Sequence, residues 1–146
     1  MTIIISSHLL NDIYANGEAS YPEESAGLLL GESIVTDAIS HKKVLAILPL
    51  TNAREDEARH NRYLITPQDM LHGEQEAMKR GMDVIGVYHS HPDHPDQPSE
   101  FDREWALPWF SYLITSIQSG KAAKCRSWLL NDNRISFSEE TIDIAN

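Results

Sequence analysis

Apolar positions along the chain fall into short continuous runs and helical stripes, separated by charged or turn-forming stretches. Ile3 to Ile5 predicts a short edge strand. Between Ser7 and Ala15, Leu9, Leu10, Ile13 and Tyr14 recur at helical spacing and predict a helix covering one face of a sheet. Strands are predicted from about Ala26 to Gly31 and from about Val44 to Leu50, with Pro49 at the end of the second because it cannot donate to a ladder. The highly charged stretch from Thr51 to Asn61 reads as a solvated connector. Thr66-Pro67 opens a second helix, with threonine as N-cap and proline at the first position, that should run to Lys79 or Arg80 and stop at Gly81.

The run Asp83 to Tyr88 is apolar enough for a buried strand, and it leads into His89-Ser90-His91. Further strands are predicted at Tyr112–Ile117, Cys125–Leu130 and Arg134–Phe137, with Asn131-Asp132-Asn133 turning a hairpin between the last two. Trp105 and Trp109, four apart, read as a core stripe on the helix after Asp102. Strands first and last with helices between predict an α+β (α/β-like) fold, a curved mixed sheet flanked by helices. The chain shows no repeat, low-complexity tract or linker, so residues 1–146 are expected to form a single domain.

Composition narrows the function classes. Hydrophobic residues make up 41% of the 146, an ordinary globular share that argues against disorder. Twelve basic against 22 acidic residues give a formal charge of −10, a field that opposes nucleic acid and anionic membranes as partners. The single cysteine, Cys125, cannot form an internal disulfide, and its strand setting suits a buried small residue better than a nucleophile. Met1 to Ile5 is too short and lacks the basic leader of a signal peptide, and no apolar run nears the roughly 20 residues that span a bilayer. A cytoplasmic protein is the expectation.

Candidate chemistry concentrates after the Asp83–Tyr88 strand. Residues two apart on a strand share a face, so His89 and His91 point together and Ser90 points away. Three prolines in Pro92–Pro98 break helix and central strand alike and turn the chain back. Ser99 then reads as an N-cap that places Asp102 in the first turn of a helix. Taken alone, Ser-x-x-Asp after a proline is an ordinary helix start, its carboxylate answering free backbone N–H groups. The conjunction favours a metal site: two imidazoles and a carboxylate can close on one ion and leave a coordination position open, as catalytic zinc requires. A hydrolytic site also needs a proton carrier that is not a ligand, and the acidic pair Glu23-Glu24 at the mouth of the next predicted strand is the place to look. Of the other histidines, His94 is expected to line the cleft from an exposed loop, and His8, His41, His60 and His72 to lie at the surface.

The pattern Glu24 … His89-x-His91-x7-Ser99-x2-Asp102, with Pro22-x-Glu24-x-x-Gly27 upstream, resembles the JAMM (MPN+) zinc metalloproteases. The likeness covers most of the chain, and Arg103 to Ile114 is similar to a stretch of the compact prokaryotic branch acting on ThiS/MoaD-like sulfur-carrier proteins. The resemblance implies a JAMM/MPN, cytidine-deaminase-like domain with one Zn2+ per chain held by His89, His91 and Asp102. It implies Glu24 as general base and Ser99 as the hydroxyl that helps hold the oxyanion, with Glu23 outside the motif's spacing. The implied reaction is hydrolysis of an amide bond after the C-terminal Gly-Gly of a small ubiquitin-like sulfur carrier. Alternatives are a JAMM amidase acting on another peptide, and a non-catalytic MPN-type interaction scaffold. The chain lacks room for the insertions with which eukaryotic deubiquitinases grip ubiquitin. Ser25 and Ala26 stand where many relatives carry cysteines, a departure expected to affect packing only.

Overall fold

The structure, a computed structural model, describes residues 1–37, 39–51 and 65–145. Its first strand, β1 (Thr2–Ser6), alternates so that Ile3 and Ile5 are buried. Ser6 then caps helix α1 (Ser7–Ser20), its Oγ accepting from Leu9 N at 3.1 Å. The helix continues past Ala15 because Gly17 extends the buried stripe of Leu10 and Ile13; a Cβ there would lie 2.9 Å from Ile117.

Strands β2 (Ala26–Thr36) and β3 (Ile39–Leu50) form a long antiparallel hairpin. Helix α2 (Pro67–Lys79) starts with a reciprocal capping box between Thr66 and Asp69 and ends before Gly81, whose φ of 68° suits glycine. Strand β4 (Asp83–Pro92) carries the histidine pair and is followed by the short helix α3 (Glu100–Trp105). Strands β5 (Ser111–Gln118), β6 (Lys121–Leu130) and β7 (Phe137–Ala145) complete the described elements. Of the expected charged connector, residues 52–61 lie outside the described residues, and His60 with them.

The expected mixed sheet with flanking helices is present, and its curvature closes it into a barrel of order β1-β3-β2-β4-β5-β6-β7. β1 is therefore not an edge strand: it pairs in parallel with both β3 and β7. The Ala26–Gly31 half of β2 is buried on both faces, which explains its unbroken apolar run, while Glu32–Thr36 is exposed. Leu28 and Leu30 pack in one cluster with Val87, Tyr112 and Ala77 of α2, while Leu29 packs in a second with Ile85, Tyr88 and the α1 residues Leu10 and Ile13.

Three further expectations are corrected. α3 ends at Trp105 with Ala106 as its C-cap, so Trp109 is not on the same helix; the two tryptophans are 64% and 65% exposed, and Ala106 and Phe110 enter the core instead. The last strand begins at Phe137, because Arg134 adopts a φ of 59° in the turn and its Nη1 donates to Ala106 O at 3.0 Å. His41 is half-buried in β3. Cys125 sits half-buried on β6, where burial pushes its thiol up to about 12, consistent with a packing residue.

Gly27 shows how tightly the site's supporting strand is packed. A Cβ there would overlap the ring of Tyr88, which is fully buried. Gly27→Ala should cost about 1–3 kcal/mol by overpacking, read as a lower denaturation midpoint at unchanged slope. An unchanged midpoint would mean that the ring can move.

Candidate metal centre and hydrolytic cleft

β4 runs between β2 and β5, with His89 opposite Ala26 and Ile114 and His91 opposite Ser116. Both imidazoles are buried, and their ring centroids lie 4.9 Å apart. Ser90 turns the other way, as strand alternation requires, and does a separate job. Its Oγ accepts from Ser25 N at 2.8 Å and lies 3.1 Å from Ser25 Oγ, while its own N–H donates to Ser25 O at 3.1 Å. These bonds pin the segment before β2 against β4 and set Glu24 beside His89, with Glu24 Oε1 3.6 Å from His89 Nδ1. Ser25 thus does more than pack. Glu24 is 4% exposed, whereas Glu23 is only half-buried.

Asp102 arrives from the opposite side. Ser99 and Asp102 form a reciprocal capping box at the start of α3: Ser99 N donates to Asp102 Oδ2 at 2.8 Å, and Asp102 N to Ser99 Oγ at 3.1 Å. The same carboxylate, 3% exposed, places Oδ1 3.4 Å from His89 Nε2 and Oδ2 3.2 Å from His91 Nε2. It is a helix cap and a partner of both imidazoles at once. Burial opposes ionisation of Asp102, but the charges of His89 and His91 and the hydrogen bonds from His91 and Ser99 outweigh it and pull the carboxyl down to about 2. For His91, burial works against the charged form, but Asp102, Glu24 and the Pro95 carbonyl raise the imidazole above its ordinary value. The Pro95 carbonyl only accepts, so His91 Nδ1 donates to it at 2.8 Å and Nε2 is the nitrogen left to face Asp102.

The donor set suits a zinc-like ion. Two ligands at 2.0–2.1 Å from a tetrahedral ion stand about 3.3 Å apart, and the imidazole–carboxylate separations of 3.4 and 3.2 Å match that spacing. Glu24, His89 and His91 also offer ligand atoms within 4.8 Å of one another, so two carboxylates flank the imidazole pair. Beside them opens a cleft of about 480 Å³, lined among others by Glu24, His91, His94, Ser99 and Phe101. His94 is an exposed residue of its wall, as expected from its loop.

All five residues singled out in the sequence therefore lie in one region: Glu24 and Asp102 are linked through the imidazoles of His89 and His91, and Ser99 lies at the cleft edge. The sequence did not disclose the Ser25–Ser90 tie or the Pro95 carbonyl that orients His91, since backbone acceptors and long-range serine pairs carry no spacing signal.

Residues 6–131 match the family described as prokaryotic homologs of the JAB domain. A desampylase of Haloferax volcanii is 34% identical over 96 residues, covering 65% of this chain and 63% of that protein, so the match spans a little under two thirds of the relative. A probable TtuB-protein conjugate cleaving protease of Thermus thermophilus is 25% identical over 122 residues, covering 82% of this chain and 75% of that protein. Among solved structures, a protein of Desulfitobacterium hafniense superposes with a TM-score of 0.82 at 27% identity, covering 99% of this chain and 93% of the other.

Proposed function

The chain belongs to the prokaryotic JAB family, and from this premise we propose that it is a zinc-dependent isopeptidase of the JAMM/MPN+ kind. Its reaction is hydrolysis of the amide bond after the C-terminal Gly-Gly of a small ubiquitin-like sulfur-carrier protein. The observation that carries the reading is the buried set of His89, His91 and Asp102 with Glu24 alongside, at the head of an open cleft. The desampylase and TtuB-conjugate protease among its relatives support the substrate class.

In this reading His89, His91 and Asp102 hold the metal. Asp102 is preferred to Glu24 as third ligand because it meets the Nε2 atoms of both imidazoles, whereas Glu24 lies at the Nδ1 side of His89 and lines the cleft. When bound, zinc supplies a water acidified to a pKa of about 7 and a Lewis acid for the scissile carbonyl. Glu24 accepts the proton of the attacking water and delivers it to the leaving nitrogen. Ser99 donates its hydroxyl proton to the carbonyl oxygen as charge develops there. Its helix-cap bond does not compete, because accepting from Asp102 N uses a lone pair and leaves that proton available. A Gly-Gly tail suits the site, since residues without side chains let the backbone approach the reacting groups closely. A single, half-buried thiol supports a reducing, cytoplasmic setting.

The test is a mass measurement. A purified ubiquitin-like carrier extended beyond its Gly-Gly is incubated with the chain, with and without a zinc chelator. Loss of the extension only in the chelator-free sample is expected, and an unchanged mass in both would exclude this substrate class.

A further inference from the structure

We propose that Asp96, clamped by Arg126 and Trp128 of β6, is a positioning residue that sets the ring orientation of His91 through the Pro95 carbonyl. The proposal rests on His91 serving as a metal ligand. Asp96 stands out in its loop: Pro95 and Gln97 on either side are exposed, yet Asp96 is 3% exposed. A carboxylate is buried at a cost unless it is paired, so its position has a cause. That cause is β6. Arg126 Nη2 donates to Asp96 Oδ1 at 2.9 Å, and Trp128 Nε1 donates to the Asp96 carbonyl at 2.9 Å. The two β6 residues share a face, with the guanidinium 5.3 Å from the Trp128 ring centroid, so each braces the other.

The geometry links this clamp to the metal centre through a single rigid unit. The Pro95 carbonyl belongs to the peptide plane that joins Pro95 to Asp96, and a peptide plane moves as one body. Fixing Asp96 at its side chain and its own carbonyl therefore fixes the acceptor that His91 Nδ1 meets at 2.8 Å. The first half of the loop is tied elsewhere, with the Asp93 carboxylate taking Tyr21 OH and Ser119 N and the His94 carbonyl taking Ser116 Oγ. None of those bonds touches the 95–96 plane. With the carbonyl in place, His91 Nδ1–H is held by Pro95 and Nε2 stays aimed at Asp102, as the nitrogen a metal would take. Without it, the ring loses that anchor and Nε2 is no longer held in the direction a metal needs.

The experiment reads the His91 Nδ1–H hydrogen bond in metal-free, nitrogen-15-labelled protein by long-range nitrogen–proton spectra, and zinc affinity by competition with a chelator. Wild type should show a hydrogen-bonded proton on Nδ1. Asp96→Ala should weaken that hydrogen bond and lower zinc affinity by roughly 10- to 100-fold, the usual range for a lost outer partner of a ligating histidine. Its kcat should fall at limiting zinc and recover at saturating zinc, with KM unchanged. Arg126→Gln should follow Asp96→Ala, and Arg126→Lys should lie nearer wild type. Trp128→Phe keeps an aromatic ring beside Arg126 and deletes one hydrogen bond, so it carries the test if Asp96→Ala does not fold; a smaller change in the same direction is expected. An Nδ1–H hydrogen bond as strong as in wild type with zinc affinity within about twofold of it, in folded Asp96→Ala or Trp128→Phe, would overturn the proposal. Absence of zinc binding by wild type would instead overturn the metal reading on which it rests, and the metal-free spectra tell the two failures apart.

Discussion

Glu24→Gln is expected to keep zinc at wild-type occupancy while turnover falls by about 10²- to 10⁴-fold, the range that a positioned general base contributes. The substitution changes almost nothing but proton chemistry. Glutamine matches glutamate in shape, so the packing around a side chain that is 4% exposed should survive. The neighbouring Ser25–Ser90 bonds that seat this segment use backbone and hydroxyl groups and are untouched. What is lost is the ability to take a proton from water and return it to the leaving nitrogen. Zinc content and turnover should be measured on the same preparation, because the pair of readings separates three cases. Metal retained with activity lost makes Glu24 the base. Metal lost makes it a ligand, which its place among Glu24, His89 and His91 leaves open on distance alone. Equal activity removes it from the mechanism.

Much of this site was legible in the sequence because its signals are local. His89 and His91 share a face through strand alternation, and Ser99 and Asp102 are joined by the reach of a capping box; in both pairs the partners stand no more than three positions apart. α2 was equally readable from Thr66, Pro67 and Gly81. The misread elements depend on distant partners. Nothing in Thr2–Ser6 says that it will pair with Thr141–Ala145 and close the barrel, and β7 itself is mostly exposed, with Glu140 its one buried position. Trp105 and Trp109 have helical spacing, but Ala106 leaves helical geometry between them, so the periodicity never applies. The Asp96 clamp was hidden for the same reason, since its two donors lie about thirty residues downstream on a strand that only the barrel brings near.

His91→Ala should strip the site of zinc, with elemental analysis showing under a tenth of wild-type occupancy, an expectation on the order of the large losses that follow removal of a direct ligand. The variant removes Nε2 and also the Nδ1–H that meets Pro95, and it takes one partner from a buried carboxylate. With that imidazole gone, part of what holds Asp102 down to about 2 goes too, so its carboxyl should titrate higher. A loss of metal here could still be blamed on a disturbed fold, and Asp102→Asn answers that objection. Asparagine keeps an oxygen that accepts from Ser99 N, and the Asp102 backbone N–H still donates to Ser99 Oγ, so the α3 capping box should remain. If Asp102 were only a helix cap, the amide would be a near-neutral change, within roughly 1 kcal/mol in stability and with zinc unaffected. If it is a ligand, the amide forfeits the charge that draws the cation, and zinc should be lost from a chain that still folds, with its melting compared against metal-free wild type because bound metal itself stabilises the native state. Full zinc occupancy in both variants would leave Ser-x-x-Asp as an ordinary helix start and the histidine pair as buried polar packing.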